Sequence, residues 1–153
     1  RGYASVKLNY GTAEVGGKVY VRVAAAEGKP VGGIEAAADV TVDGGKITGT
    51  GTGTIAATVT AAAIPGTWSL TLQTTSQTSK VTVFDPNGLR HPDATVGTEY
   101  TSGGLTFTIT ADGTMTAGDS FAPVVTANTI AVPGAFFQGA ADAGGNVEIS
   151  YNV

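Results

Sequence analysis

Apolar and polar positions alternate with a period of two along much of this chain. The clearest run is Leu105-Thr106-Phe107-Thr108-Ile109-Thr110, with three large apolar side chains on one face and threonine on the other. That spacing predicts a strand with one buried face and one wet face. Trp68, Leu70 and Leu72 alternate in the same way with Ser69, Thr71 and Gln73. Near the start, Val6 and Leu8 form the inner face of a run over residues 1–10. Val19, Val21 and Val23 then oppose Lys18, Tyr20 and Arg22. Residues 81–84 form a further short β-rich run, and 129–132 and 147–151 supply closing strands.

Turn chemistry separates these runs. In Asp85-Pro86-Asn87-Gly88 the proline presets φ for a turn, and Asn-Gly tolerates positive φ after it. Ile64-Pro65-Gly66, Ala111-Asp112-Gly113 and Ala117-Gly118-Asp119 are similar signals. Asp43-Gly44-Gly45, between apolar-alternating residues 40–42 and 46–48, predicts a hairpin. Residues 35–39 are rich in helix formers but too short for a helix, so a loop or a single turn is expected. The repeat GTGTGT at 49–54 lacks both phosphate-binding glycine spacings and reads as a crossing segment or an edge strand.

Composition sharpens this all-β reading. Glycine occurs 23 times, cysteine not at all, and only 13% of residues are charged. That is well below the roughly one-quarter of an average domain, so the surface has little charge to resist association. We expect partners to cover much of it. The net charge of −4 offers no basic footprint for nucleic acid. No apolar run is long enough to cross a membrane as a helix, and no signal-peptide pattern is visible.

Four successive elements carry a resemblance: Val83-Phe84-Asp85-Pro86-Asn87-Gly88, Val96-Gly97-Thr98-Glu99-Tyr100, residues 104–110, and Ala117-Gly118-Asp119-Ser120-Phe121. Their order resembles a module of tailed-phage head-decoration proteins. The flanks, residues 19–26 and 127–137, are similar to the C-terminal half of phage structural cement proteins. Together these resemblances imply a small antiparallel β-barrel or sandwich domain interrupted by a second small antiparallel β module. The expected partition is a cement-type domain from 1–48 with 124–153, and a decoration-type insertion at 49–123. They also imply a virion protein on the outer capsid surface that bridges major capsid protein subunits. Self-association at capsid symmetry axes is implied too, with a trimer favoured.

Candidate chemistry is sparse. His91, the single histidine, lies in Leu89-Arg90-His91-Pro92-Asp93 and reads as a surface-loop residue rather than a general base, because no nucleophile stands in a recognisable spacing. Asp85, Asn87, Asp93, Asp112 and Asp119 offer oxygen ligands, but none falls in a calcium-loop spacing, so no metal or cofactor is expected. Trp68, Phe84, Tyr100 and Phe107 suit a core better than a sugar-binding platform. Phe136 and Phe137 are adjacent, so in a strand one must face away from the core. The candidate intermolecular contacts are therefore Arg22, Arg90, Phe136 and Phe137, with Lys46 as a further cation that could meet an acidic capsid surface. The expectation is a non-enzymatic protein, and a glycan-binding or host-adhesion module is the alternative.

Overall fold

The computed structural model describes residues 2–152, and among them every regular element is a strand. In chain order the first eight are β1 (Gly2–Tyr10), β2 (Lys18–Arg22), β3 (Ile34–Glu35), β4 (Val40–Asp43), β5 (Ile47–Thr48), β6 (Thr54–Val59), β7 (Gly66–Thr67) and β8 (Ser69–Leu72). The rest are β9 (Lys80–Phe84), β10 (Arg90–Thr95), β11 (Tyr100–Ser102), β12 (Leu105–Thr110), β13 (Ser120–Phe121), β14 (Val124–Ala127), β15 (Thr129–Phe137) and β16 (Asn146–Tyr151). The protein is thus all-β. It divides into two compact units, Arg1–Asp39 with Ala127–Val153, and Val40–Thr126.

The first unit is a closed barrel in the order β1-β16-β15-β2-β3. Closure leaves no free sheet edge. The short strand β3 makes it possible by pairing antiparallel with β2 (Tyr20 opposite Glu35) and parallel with β1 (Leu8 opposite Ile34). The other strand pairs of the barrel are antiparallel, as expected. Inside lie Val19, Ala135, Phe137 and Val147, with Val6, Leu8 and Ile34 packed against them. The alternation read over residues 1–10 is therefore the barrel's inner and outer face.

In the second unit β10-β9-β8-β13-β5 form a five-stranded sheet, and β11-β12-β6 and β4-β14-β7 form three-stranded ones. Trp68, Leu70, Leu72, Val81, Val83, Leu105, Phe107, Ile109 and Phe121 make one core, each at most 2% exposed. Burying one such side chain contributes roughly 1.5–3 kcal/mol, so this cluster is the unit's main source of stability.

Two expectations are corrected here. Residues 40–48 do not form a hairpin: β4 joins β14, while β5 pairs with β13 (Ile47 opposite Phe121). A local turn does form at the predicted place. Gly45 has φ +73° and donates its N–H to Asp43 Oδ1 at 3.0 Å. But Val40, Val42 and Ile47 pack on the Trp68 core, and that burial sends the two strands to different sheets. For the same reason residues 40–48 belong with the second unit, and the chain changes unit after Asp39.

The GTGTGT stretch is a fitted piece. Thr50 N–H donates to Asp119 Oδ1 and Thr116 N–H to Asp119 Oδ2, both at 2.9 Å. Asp119 is buried, and a Cβ at Gly49 or Gly51 would run into its carboxylate. Glycine is used there so that the backbone can close around an acid.

Candidate functional site

Arg22, expected at an intermolecular contact, is instead 1% exposed. It projects from β2 beside Glu35 of β3, itself 1% exposed, and its Nε and Nη2 donate to the two Glu35 carboxylate oxygens. Nη2 also donates to Asp39 Oδ2 at 2.5 Å, and Nη1 to the carbonyl of Ala24 at 3.2 Å. Asp39 is held in turn, its N–H on Thr129 Oγ1 at 2.8 Å and Lys29 Nζ 3.8 Å from its carboxylate. The hydrogen bonds from Arg22 hold the Asp39 carboxyl below its usual range, and the two acids raise the Arg22 pKa further. This knot ties β2, β3 and β15 together. The sequence clue was Glu35, a lone carboxylate among alanines, which needs a cation if it is buried.

The other three candidates divide. Arg90, in β10, is exposed and paired with Asp93 at 2.7 Å. Phe137 is fully buried in the barrel, whereas Phe136 is 38% exposed on its outside. Lys46 is exposed.

Phe136 marks a break in the barrel wall. Down β15, Ala131 lies opposite Tyr20, but the next partnered residue, Phe136, lies opposite Lys18. Four residues of β15, Val132-Pro133-Gly134-Ala135, thus stand against the single residue Val19 of β2, so β15 carries a bulge there, with Gly134 at φ +71°. Between the bulge, the Phe136 ring and Lys18 is an open cleft of about 180 Å³. Lys18 is its one charged lining residue and has no ion pair among the described residues. The sequence pointed to this place through the Phe136-Phe137 pair, but the cation comes from a distant strand.

His91 is not a loop residue either. It sits on β10, where a bulge between His91 and Ala94 accommodates Pro92. Its side chain is 11% exposed and rests on Trp68, ring centroids 5.1 Å apart. Nδ1 lies 2.9 Å from Ser102 Oγ, while Nε2 is 3.6 Å from Asp85 Oδ2, too long for a hydrogen bond. Asp85 Oδ1 accepts the N–H groups of Asn87 and Leu89, both at 2.9 Å, which fixes the turn read from the sequence. Serine, histidine and aspartate thus come together, although Ser102 had no sequence signal. In this geometry the carboxylate closes a turn and does not orient the imidazole. The trio joins β10 to β11 and to the end of β9.

Trp68, Tyr100 and Phe107 are buried and Phe84 is half-buried, so these four do not form an exposed aromatic platform. Burial raises the Tyr100 pKa. No group of three His, Cys, Asp or Glu side chains that could hold a metal ion occurs among the described residues.

No protein-family model matches the chain. No curated protein matches it either. Among solved structures it aligns with the crystal structure of Xanthomonas campestris FlgL at 18% identity and a TM-score of 0.40, over 77% of this chain and 34% of that one. The chain therefore spans about a third of that protein's length, and a likeness this low carries no argument about either fold or function.

Proposed function

We propose that this chain is a non-enzymatic structural component of a tailed-phage particle, which sits on the outer capsid surface and bridges major capsid protein subunits. The observation that supports this most is the character of its surface. Val15, Leu89, Val31, Ile130, Tyr3, Tyr10 and Phe136 are 38–78% exposed on a chain in which 13% of residues are charged. Six of the seven lie at separate points of the first unit's strands and loops, and Leu89 lies in the second unit. Scattered apolar points suit many small contacts, which sum over a lattice through multivalency without any single one being strong. The resemblance of residues 83–121 to decoration modules and of the flanks to cement proteins supplies the partner, and association around symmetry axes, as trimers, goes with it.

Mass spectrometry of particles purified from the culture that carries the gene tests the reading. The expected result is a stoichiometric component that stays with the shells through a density gradient. Binding to a glycan array with no association to shells would move the protein to the adhesion reading. Hydrolase activity abolished by His91→Ala would overturn the non-enzymatic part.

A further inference from the structure

From the break in the barrel wall we infer that the cleft between the β15 bulge, Phe136 and Lys18 is a docking site for an extended partner segment. That segment carries one large apolar side chain with a carboxylate two residues away. The inference rests on the capsid-bridging reading for the partner's identity, but not for the chemistry of the cleft.

Volume and charge together select this occupant. A cavity of ~150 Å³ lined by apolar side chains holds a benzene ring. The cleft, at about 180 Å³, therefore takes one aromatic or branched aliphatic side chain and no more. Its walls are alanine, valine, proline, glycine and the Phe136 ring, with a single positive group, Lys18, beside that ring. Residues opposite one another in paired strands project to the same face, so the Lys18 ammonium and the Phe136 ring are neighbours on the barrel exterior. Arg22, Lys29 and Arg90 are engaged by acids of this chain, whereas Lys18, like Lys7, Lys46 and Lys80, has no ion pair among the described residues; of these four it is the one that lines the cleft. Lys18 is open to an anion from outside. In an extended segment, side chains two residues apart lie ~6.6 Å apart on one face, which lets one residue fill the cleft while the next on that face meets the ammonium.

The test uses the full chain, labelled with nitrogen-15, and three synthetic peptides with capped ends: Thr-Phe-Thr-Glu-Thr, Thr-Phe-Thr-Lys-Thr and Thr-Ala-Thr-Glu-Thr. The first is expected to shift the amides of Lys18 and residues 131–136, and to bind in the millimolar range, as suits one anchor. It should bind roughly three- to five-fold tighter than the lysine peptide at low ionic strength, with the difference lost at high salt. The alanine peptide should not saturate. Phe136→Ala should remove binding, and Lys18→Glu should reverse the preference between the first two peptides. Both positions are exposed, and an unchanged amide spectrum away from the cleft verifies that each variant folds. Perturbation elsewhere, no perturbation at all, or equal binding of the acidic and basic peptides overturns the proposal. So does concentration-dependent self-association that Phe136→Ala abolishes, since a second copy would then be the occupant. Shell association is measured separately. Shells that retain the Phe136→Ala variant undiminished would remove the cleft from the capsid contact while leaving the capsid reading intact. Shells that ignore the wild-type chain would do the reverse.

Discussion

Removing the Arg22 guanidinium should be among the most damaging single changes in the barrel. Arg22→Met keeps most of the side chain's apolar volume but leaves Glu35, 1% exposed, charged and without its cation. Breaking a buried ion pair from one side costs about 3–5 kcal/mol. Each kcal/mol moves the midpoint of a unit this small by roughly 4–8 °C, so the barrel transition should fall by at least about 12 °C. The double variant Arg22→Met with Glu35→Leu removes both buried charges and puts apolar groups in their place. It should cost about 1 kcal/mol or less, because the desolvation penalty of both ions disappears with their attraction. Asp39 is then left with Lys29 and partial solvent exposure, which it tolerates.

The protein has a single tryptophan, Trp68, in the core of the second unit, so its fluorescence follows that unit, while calorimetry follows both. Arg22→Met should lower the first unit's calorimetric transition and leave the Trp68 midpoint where it was. The double-mutant cycle should give a coupling energy of about 2–4 kcal/mol. Additive effects, with the double variant as unstable as the sum of the singles, would refute the assignment of the cost to an orphaned charge. A matching drop in the Trp68 midpoint would refute its confinement to the barrel.

Other consequences can be read from the same geometry. Asp119→Ala strips the acceptors from the Thr50 and Thr116 N–H groups and should lower the Trp68 transition by about 2–3 kcal/mol; a shift within experimental error would mean that water replaces the carboxylate. Gly103→Ala places a Cβ 2.7 Å from His91 Cε1 and 2.8 Å from Trp68 Cη2 at φ +59°. It should cost clearly more than Gly97→Ala, where φ is +79° but nothing lies within 4 Å and the penalty is backbone strain of about 1 kcal/mol. Equal melting shifts for the two would show that crowding against the Trp68–His91 pair is negligible. Asp39, with its pKa depressed by Arg22, stabilises the folded barrel wherever the unfolded carboxylate would be ionised. That contribution should be constant above pH ~5 and be lost as pH falls below ~3.9 through the folded-state value. Asp39→Asn should flatten this acid limb in calorimetric scans. Finally, Asn128 N–H donates to the Asp39 carbonyl at 2.8 Å, which holds the chain ends on either side of the second unit together. Replacing Val40–Thr126 by a short glycine linker should leave a folded barrel with dispersed amide resonances, and a collapsed spectrum would refute the unit's autonomy.

What the sequence disclosed follows from the range of the interactions involved. The Trp68-Leu70-Leu72 and Leu105-Phe107-Ile109 alternations were readable because a strand with one buried face writes its period directly into the residues. The turn at Asp85 was readable because its hydrogen bonds span at most four residues. The pairing of β4 and β5 was not, since Asp43-Gly44-Gly45 specifies a bend and says nothing about which distant strands compete for its arms. Barrel closure was hidden in β3, where Ile34 and Glu35 carry no periodicity of their own. Arg22 looked exposed because it alternates with valines, yet β2 has something to bury on both faces. Its polar side is covered by Glu35 and Asp39, which arrive 13 and 17 residues later.

This use of charge bears on the surface as well. The chain has 12 acidic residues. Glu35 and Asp39 hold Arg22, and Asp93 holds Arg90. Asp43, Asp85, Asp119 and Asp142 accept backbone N–H groups that turns would otherwise leave unpaired. More than half of the acids are thus spent on fixing the chain's own conformation, in a protein whose glycine-rich turns would be loose without them. Hydrogen bonding leaves those carboxylates charged, but charged side chains are only 13% of the residues. A surface of threonine, alanine and large apolar groups carries a weak field to steer a partner over distance. A surface built in that way recognises by fit at short range. Selectivity then depends on the few places where shape and charge coincide, and the Lys18–Phe136 cleft is such a place.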